Sequence, residues 1–191
     1  DTKDCAKGKY GDERSLTASS SCKDCVAGKY SSAKGVANSR GCNDCSPGRY
    51  SKEEGNKQST KCKICAPGFF QNLAGNTTCH ACPSGWGNTN NGSTGCNECP
   101  AGKAGIIGGN TKCQDCSVGM FRNQDDEITT SCSPCQIGKY MGRGGAANCL
   151  DCNPGTYEND TGSTACKACS KGQHQDAAGN ETCLDCKVGQ Y

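Results

Sequence analysis

Residues 152–169 read CNPGTYENDTGSTACKAC: Cys152 opens the stretch, Gly155 follows three positions later, Tyr157 five and Gly162 ten, and the pair Cys166 and Cys169 closes it. Cys169 opens the next copy, with Gly172 and Gly179 at the same offsets. Moving outward, C-x2-C pairs end at Cys25, Cys45, Cys65, Cys82, Cys99, Cys116, Cys135, Cys152, Cys169 and Cys186, and a lone Cys5 stands in phase ahead of them. The intervals run from 17 to 20 residues, and each of these eleven cysteines is followed three positions later by glycine, from Gly8 to Gly189. Five positions after the cysteine stands Tyr10, Tyr30, Tyr50, Phe70, Phe121, Tyr140, Tyr157 or Tyr191; Ala104 and His174 break the rule, and Trp86 comes one place early beside Gly87. A second glycine falls ten positions after it at Gly35, Gly55, Gly75, Gly92, Gly109, Gly145, Gly162 and Gly179. Self-similarity at a short fixed period is the signature of a repeat array.

The unit is C-x2-G-x-(Y/F)-x4-G, a spacer of three to six residues, then C-x2. A short extended leg after the first glycine, a reversal near the second and a return leg to the next cysteine read as a small hairpin. The phase places repeats at 5–24, 25–44, 45–64, 65–81, 82–98, 99–115, 116–134, 135–151, 152–168 and 169–185, with a partial copy at 186–191, one continuous array over 1–191. Composition sets the fold class. Of 191 residues 21 are Cys and 27 Gly, and only 25 are large apolar residues (Val, Ile, Leu, Met, Phe, Trp, Tyr), too few for a conventional core. The expected fold is small and disulfide-rich, with short β-hairpins as its only regular structure. About ten repeats stack as an elongated rod, and the recurring ring supplies each repeat's small core.

The odd cysteine count helps with the pairing. If each phase-setting cysteine bonds the first cysteine of the following C-x2-C, the pairs are Cys5 with Cys22, Cys25 with Cys42, Cys45 with Cys62, Cys65 with Cys79, Cys82 with Cys96, Cys99 with Cys113, Cys116 with Cys132, Cys135 with Cys149, Cys152 with Cys166, and Cys169 with Cys183. Cys186 is then left over, which suggests a section of a longer array. Each closure is worth roughly 3 kcal/mol in the loop-entropy picture. The rival is zinc, because two C-x2-C pairs at this separation also suit a tetrahedral four-thiolate site, and ten pairs would make about five sites. Against zinc, the glycines and rings repeat in every unit rather than every second one, and Cys5 would go unused. A redox-active C-x2-C needs a helix N-terminus to depress a thiol pKa, which Gly-rich loops do not offer.

No apolar stretch approaches 18 residues and no hydrophobic leader is present, so the sequence reads as a processed or partial extracellular chain. The net charge of +2, from 21 basic and 19 acidic residues, argues against nucleic acid or an anionic membrane as main partner. Four N-x-S/T sequons, at Asn76, Asn91, Asn159 and Asn180, fall on or beside the expected turn tips and fit the secretory route. The Ser/Thr clusters Ser19-Ser20-Ser21 and Thr129-Thr130-Ser131 read as solvated loops.

The run CSPGRYSKEEGNKQSTKCKIC from Cys45 to Cys65, and that from Cys152 to Cys169, resemble the cysteine-rich repeats of ephrin-receptor type. The C-x2-G-x-Y start is similar to the smallest module of tumour necrosis factor receptors. The resemblance spans essentially the whole chain and implies the pairing above for Cys45 with Cys62 and Cys152 with Cys166. The larger two-disulfide modules are missing, so the ligand-contact positions of those receptors have no counterpart here. Long uninterrupted arrays of this kind most resemble surface and appendage proteins of protists and algae, including flagellar-hair (mastigoneme) proteins.

No catalytic constellation emerges. His80 lies within C-H-A-C and His174 in the aromatic slot, and both read as satisfied or solvated rather than as bases; the run Asp125-Asp126-Glu127 lacks the spacing of a calcium loop and reads as a solvated tip. Trp86 and the pair Ile106-Ile107 are candidates for an association patch. The function expected is that of a non-enzymatic extracellular structural glycoprotein, a disulfide-laddered rod in a filament, appendage or coat at a cell or flagellar surface. It would carry no metal and no cofactor apart from N-linked glycans, and its partners would be itself or other coat glycoproteins. The alternative is a ligand-binding or spacer region of a receptor ectodomain or surface antigen.

Overall fold

A computed structural model describes residues 5–11, 22–105, 108–109, 111–125 and 130–189. Its architecture is ten two-residue antiparallel hairpins with almost no helix. In the repeat opening at Cys25, Lys29–Tyr30 pairs with Asn43–Asp44; in the next, Arg49–Tyr50 pairs with Lys63–Ile64; and the same pairing recurs down to Gln173–His174 with Leu184–Asp185. Strands this short do not hold themselves together. Each hairpin is closed by one disulfide: Cys5–Cys22, Cys25–Cys42, Cys45–Cys62, Cys65–Cys79, Cys82–Cys96, Cys99–Cys113, Cys116–Cys132, Cys135–Cys149, Cys152–Cys166 and Cys169–Cys183. The two cysteines of each C-x2-C up to Cys166 and Cys169 therefore belong to the disulfides of successive repeats, and Cys186, partner of Cys183 in the last C-x2-C, keeps a free, half-buried thiol.

The first glycine starts each hairpin. In Ser46-Pro47-Gly48-Arg49 the Arg49 N–H donates to the Ser46 carbonyl at 3.0 Å with Gly48 at φ +78°, the type II turn that favours proline before a left-handed glycine. The twenty-residue repeats opening at Cys25 and Cys45 carry an extra 3-10 turn before the closing cysteine, at Ser39–Gly41 and Ser59–Lys61.

The chain divides into two compact bodies. The first comprises the described residues of Asp1–Pro83, Gly87–Asn97 and Gly109–Thr111; the second comprises those of Ser84–Trp86, Glu98–Gly108 and Lys112–Tyr191. In the first body, the Gly28 N–H donates to the Ser51 carbonyl of the following repeat at 2.9 Å, and the Gly55 N–H of that repeat donates back to the Cys25 carbonyl at 2.8 Å. A third bond joins the Ser31 N–H to the Asn56 carbonyl at 2.9 Å, beside a parallel bridge between Tyr30 and Asn56. Contact also reaches one repeat further. A Cβ on Gly28 would lie 2.6 Å from the carbonyl carbon of Gly75, two repeats on, and closer still to its oxygen.

The second body repeats this scheme. The Gly119 N–H bonds the Met141 carbonyl at 2.7 Å, the Gly145 N–H bonds the Cys116 carbonyl at 2.8 Å, and Gly119 backs onto the carbonyl of Gly162. Its apolar cluster is small: Cys135, Met141 and Ala146 are buried, with Phe121 and Cys149 packed against them. Burial is thus carried by half-cystines and main-chain contacts.

Candidate functional site

The chemistry of this chain sits at the junctions between repeats, and the residue six positions after each phase-setting cysteine decides it. Its carbonyl accepts from the first glycine of the preceding repeat and, at most of these positions, its N–H donates to the next repeat, so its side chain is drawn inside whatever its type: Ser31, Ser51, Gln71, Asn88, Arg122, Met141, Glu158 and Gln175 are all buried. The preceding aromatic slot is only half-buried at Tyr10, Tyr30, Tyr50, Phe70, Phe121, Tyr140 and Tyr157. This corrects the expectation that the ring is each repeat's core: the ring flanks the junction and a mostly polar side chain fills it.

Buried polar groups must find partners. Gln71 does so by donating from Nε2 to the Thr78 carbonyl at 2.7 Å and accepting the Leu73 N–H on Oε1 at 3.1 Å; Gln175 does the same with Thr182 and Ala177. Ser51 accepts the Glu53 N–H and the Asn56 amide, the latter at 2.8 Å.

Arg122 fills a gap. In other repeats the carbonyl of the phase-setting cysteine accepts from the second glycine of the next repeat, as Cys82 does from Gly109 and Cys116 from Gly145. The repeat opening at Cys116 has Asp126 where that glycine would stand. There the Arg122 guanidinium reaches back instead: Nη2 donates to the carbonyls of Cys99 and Pro100, the latter at 2.8 Å, and Nε donates to that of Lys103 at 2.6 Å. Arg122→Met, which keeps the bulk and removes the donors, is expected to destabilise this junction by about 2–4 kcal/mol. Hydrogen exchange at the Lys103–Ala104 hairpin, compared with a distant hairpin such as Lys29–Tyr30, checks it.

Glu158 is the acidic version of the same slot. Burial acts to raise its pKa, but the Lys167 ammonium at 3.0 Å, the Asp160 N–H at 3.0 Å and Ser163 outweigh it and hold the carboxyl below its ordinary 4.5. Lys167, bonded to Asp160 at 2.7 Å and to Glu158, has its own pKa raised. Because the folded pKa of Glu158 is depressed, its stabilisation is present above pH 4.5 and is lost as pH falls through the folded value. The raised Lys167 works in the opposite window, stabilising fully below 10.5 and losing that only as pH rises through its folded pKa. Unfolding followed from pH 6 down to about pH 2 is expected to show an acid-dependent loss in the native chain that is shallower in Glu158→Gln.

Outside the junction interior, cross-strand ion pairs line several hairpins. Lys9 pairs with Asp24 at 2.9 Å, Lys29 with Asp44 at 2.7 Å, Lys139 with Asp151 at 2.5 Å, and Lys103 with Asp115. These pairs are exposed and contribute little stability individually, but the second glycines Gly55, Gly75, Gly145 and Gly179 back directly onto the four aspartates.

The structure disperses the remaining sequence candidates. His80 stacks obliquely across its hairpin on Phe70, with ring centroids 5.9 Å apart. His174 holds Nδ1 3.8 Å from the Cys186 thiol and Nε2 3.8 Å from Asp176. Asn91 and Asn159 are exposed, and the Oδ1 of Asn159 accepts from Lys167 at 2.6 Å. Asn76 and Asn180 both follow a second glycine, are half-buried, and donate from Nδ2 to the Leu73 and Ala177 carbonyls. Trp86 is exposed, as is Asp125; Ile106-Ile107, Asp126, Glu127, Thr129 and Ser19-Ser20-Ser21 lie outside the described residues. Among the described residues no helix is long and apolar enough to cross a membrane.

A tandem disulfide array with a glycine-locked hairpin in each repeat defines a cysteine-rich repeat protein of extracellular type. Matching segments at 55–99, 126–165 and 138–181 cover more than half of the chain, and the chain belongs to the family described as tyrosine-protein kinase ephrin type A/B receptor-like. Comparison with curated proteins returned no match.

Proposed function

We propose that the chain is part of an extracellular structural glycoprotein, a disulfide-laddered rod that forms or lines a filament, appendage or surface coat in the manner of flagellar-hair proteins. The interlock supports this best. Within each body repeats are closed covalently, linked to the next through two residues and bonded to that neighbour through the main chain, and those opening at Cys5, Cys25, Cys45, Cys99, Cys116 and Cys135 also reach the one beyond by glycine contact. Load placed on one repeat therefore spreads over three. In this reading the chain is not an enzyme and holds no metal or cofactor; its covalent additions are N-linked glycans at Asn76, Asn91, Asn159 and Asn180. Its partners are further copies or other coat glycoproteins, and it contacts neither nucleic acid nor membrane.

The family favours a second reading, the spacer or ligand-binding region of a receptor ectodomain or surface antigen. Electron microscopy of native, unreduced material separates the two. Regular filaments with a repeating subunit support the structural role; isolated particles at all concentrations overturn it in favour of the receptor or antigen stalk.

A further inference from the structure

Three clefts in the first body occupy equivalent places at successive junctions. Each is floored by the aromatic of one repeat and walled by the next repeat's loop and half-cystine: Tyr10 with Ser39, Arg40 and Cys42; Tyr30 with Arg49, Thr60 and Cys62; Tyr50 with Thr78 and Cys79, where the cation, Lys52, comes from the ring's own repeat. Their volumes are about 430, 300 and 310 Å³, the small end of the range for ligand sites and suited to one ring-sized group each. Each offers a half-exposed phenol ring, at least one hydroxyl and a cation. Among the described residues no carboxylate pairs with Arg40 or Lys52, whereas Lys29, also at the first cleft, is already held by Asp44, whose carboxylate, engaged by that ammonium, also lines the second cleft. Arg49 spends one guanidinium nitrogen on the Cys62 carbonyl at 3.1 Å.

Charge is unevenly shared along the chain in the same place. Residues 22–65 carry nine Lys or Arg against four Asp or Glu, a local net +5 in a chain whose total is +2, so the remainder is net acidic. A ring face takes the C–H face of a sugar, a neighbouring hydroxyl bonds its alcohols, and a cation pairs with a sulfate or carboxylate on it. One such cleft per repeat suits a linear polymer carrying those groups at intervals, for which several weak contacts in a row combine.

The geometry points to a binding track for an anionic linear polysaccharide along the junctions from Tyr10 to Cys79, with Tyr10, Tyr30 and Tyr50 as stacking platforms and Arg40, Arg49 and Lys52 as anion contacts. This goes beyond the structural role and does not depend on it. The test titrates the full chain with heparin as the sulfated probe, with neutral dextran and single-stranded DNA as comparators. Arg40→Ser/Lys52→Ser removes two exposed cleft cations, while Lys34→Ser/Lys57→Ser removes the same charge from exposed positions outside the clefts. Heparin is expected to bind and dextran not. The cleft variant should weaken heparin binding about tenfold and the control by no more than about twofold. Tyr30→Leu/Tyr50→Leu should weaken it about fivefold without changing the salt dependence, because no charge is removed. Absence of heparin binding, equal losses in the two charge variants, or DNA binding as tight as heparin's would overturn the proposal, the last two by reducing the track to non-specific polyanion attraction.

Discussion

Gly28→Ala is expected to destabilise its junction by about 4 kcal/mol or more, while Gly155→Ala, at the same place in its own repeat, costs about 1–2 kcal/mol. Both glycines sit at almost the same left-handed φ, +84° and +80°, so the conformational strain of a side chain is common to the two. They differ in surroundings. The new methyl at residue 28 would overlap the Gly75 carbonyl, a main-chain group that cannot swing aside, whereas nothing lies within 4 Å of a Cβ at residue 155. Moving the Gly75 carbonyl would in turn strain the bond from the Gly75 N–H to the Cys45 carbonyl, at 2.8 Å. Hydrogen exchange at the Lys29–Tyr30 and Thr156–Tyr157 hairpins of the two variants reads the contrast directly. Equal effects would mean that the next-but-one contact carries no weight and that the first glycine is needed only for its turn.

The second large effect is removal of one disulfide. Cys135→Ala/Cys149→Ala opens the loop between those residues, which in the chain-entropy picture costs about 3 kcal/mol and accelerates exchange roughly a hundredfold. The structure predicts where that appears. The Arg122 N–H bonds the Ala146 carbonyl, the Met141 N–H bonds that of Ser163, and the Gly162 N–H bonds that of Cys135. Protection is thus expected to fall at residues 122, 141 and 162 together, across three repeats, while Gly28 and Gly55 in the first body keep theirs. Loss confined to residues 135–151 would show that repeats are stable on their own and only strung together.

These expectations show which features the sequence made legible. The phase of the cysteines, the extended leg after the first glycine and the place of the reversal follow from recurrence, since a half-cystine or a left-handed glycine tolerates few replacements. The buried slot six residues after the cysteine did not show itself. It holds Ser31, Gln71, Arg122, Met141 and Glu158 in turn, and it is buried by its main-chain bonds to the repeats on either side, so neither hydropathy nor residue type marks it. The Tyr and Phe slot misled for the converse reason: a recurring ring suggests a core, yet here each ring borders a junction that the buried, mostly polar slot fills together with half-cystines and backbone.

Gly28 shows a further limit. Its contact partner is the carbonyl of another glycine two repeats on, an approach made by absent side chains, and the sequence records it only as a glycine that never varies among eleven copies. Arg122 left a faint trace. Of the two repeats lacking the second glycine, the one opening at Cys116 is also the one with an arginine in the buried slot, and that coincidence acquires meaning only once the guanidinium is seen donating to the Cys99 carbonyl.

The central claim is the disulfide register, in which each C-x2-C gives one cysteine to each of two successive repeats. Mass spectrometry of an unreduced, alkylated tryptic digest tests it most directly. In this register the peptide 41–49, holding Cys42 and Cys45, is joined to peptide 24–29 through Cys25 and to peptide 62–63 through Cys62, so the digest yields a three-peptide cluster that comes apart only on reduction. Single peptides with a bond inside their own C-x2-C, or C-x2-C thiols that take up alkylating reagent once a metal chelator is added, would contradict it.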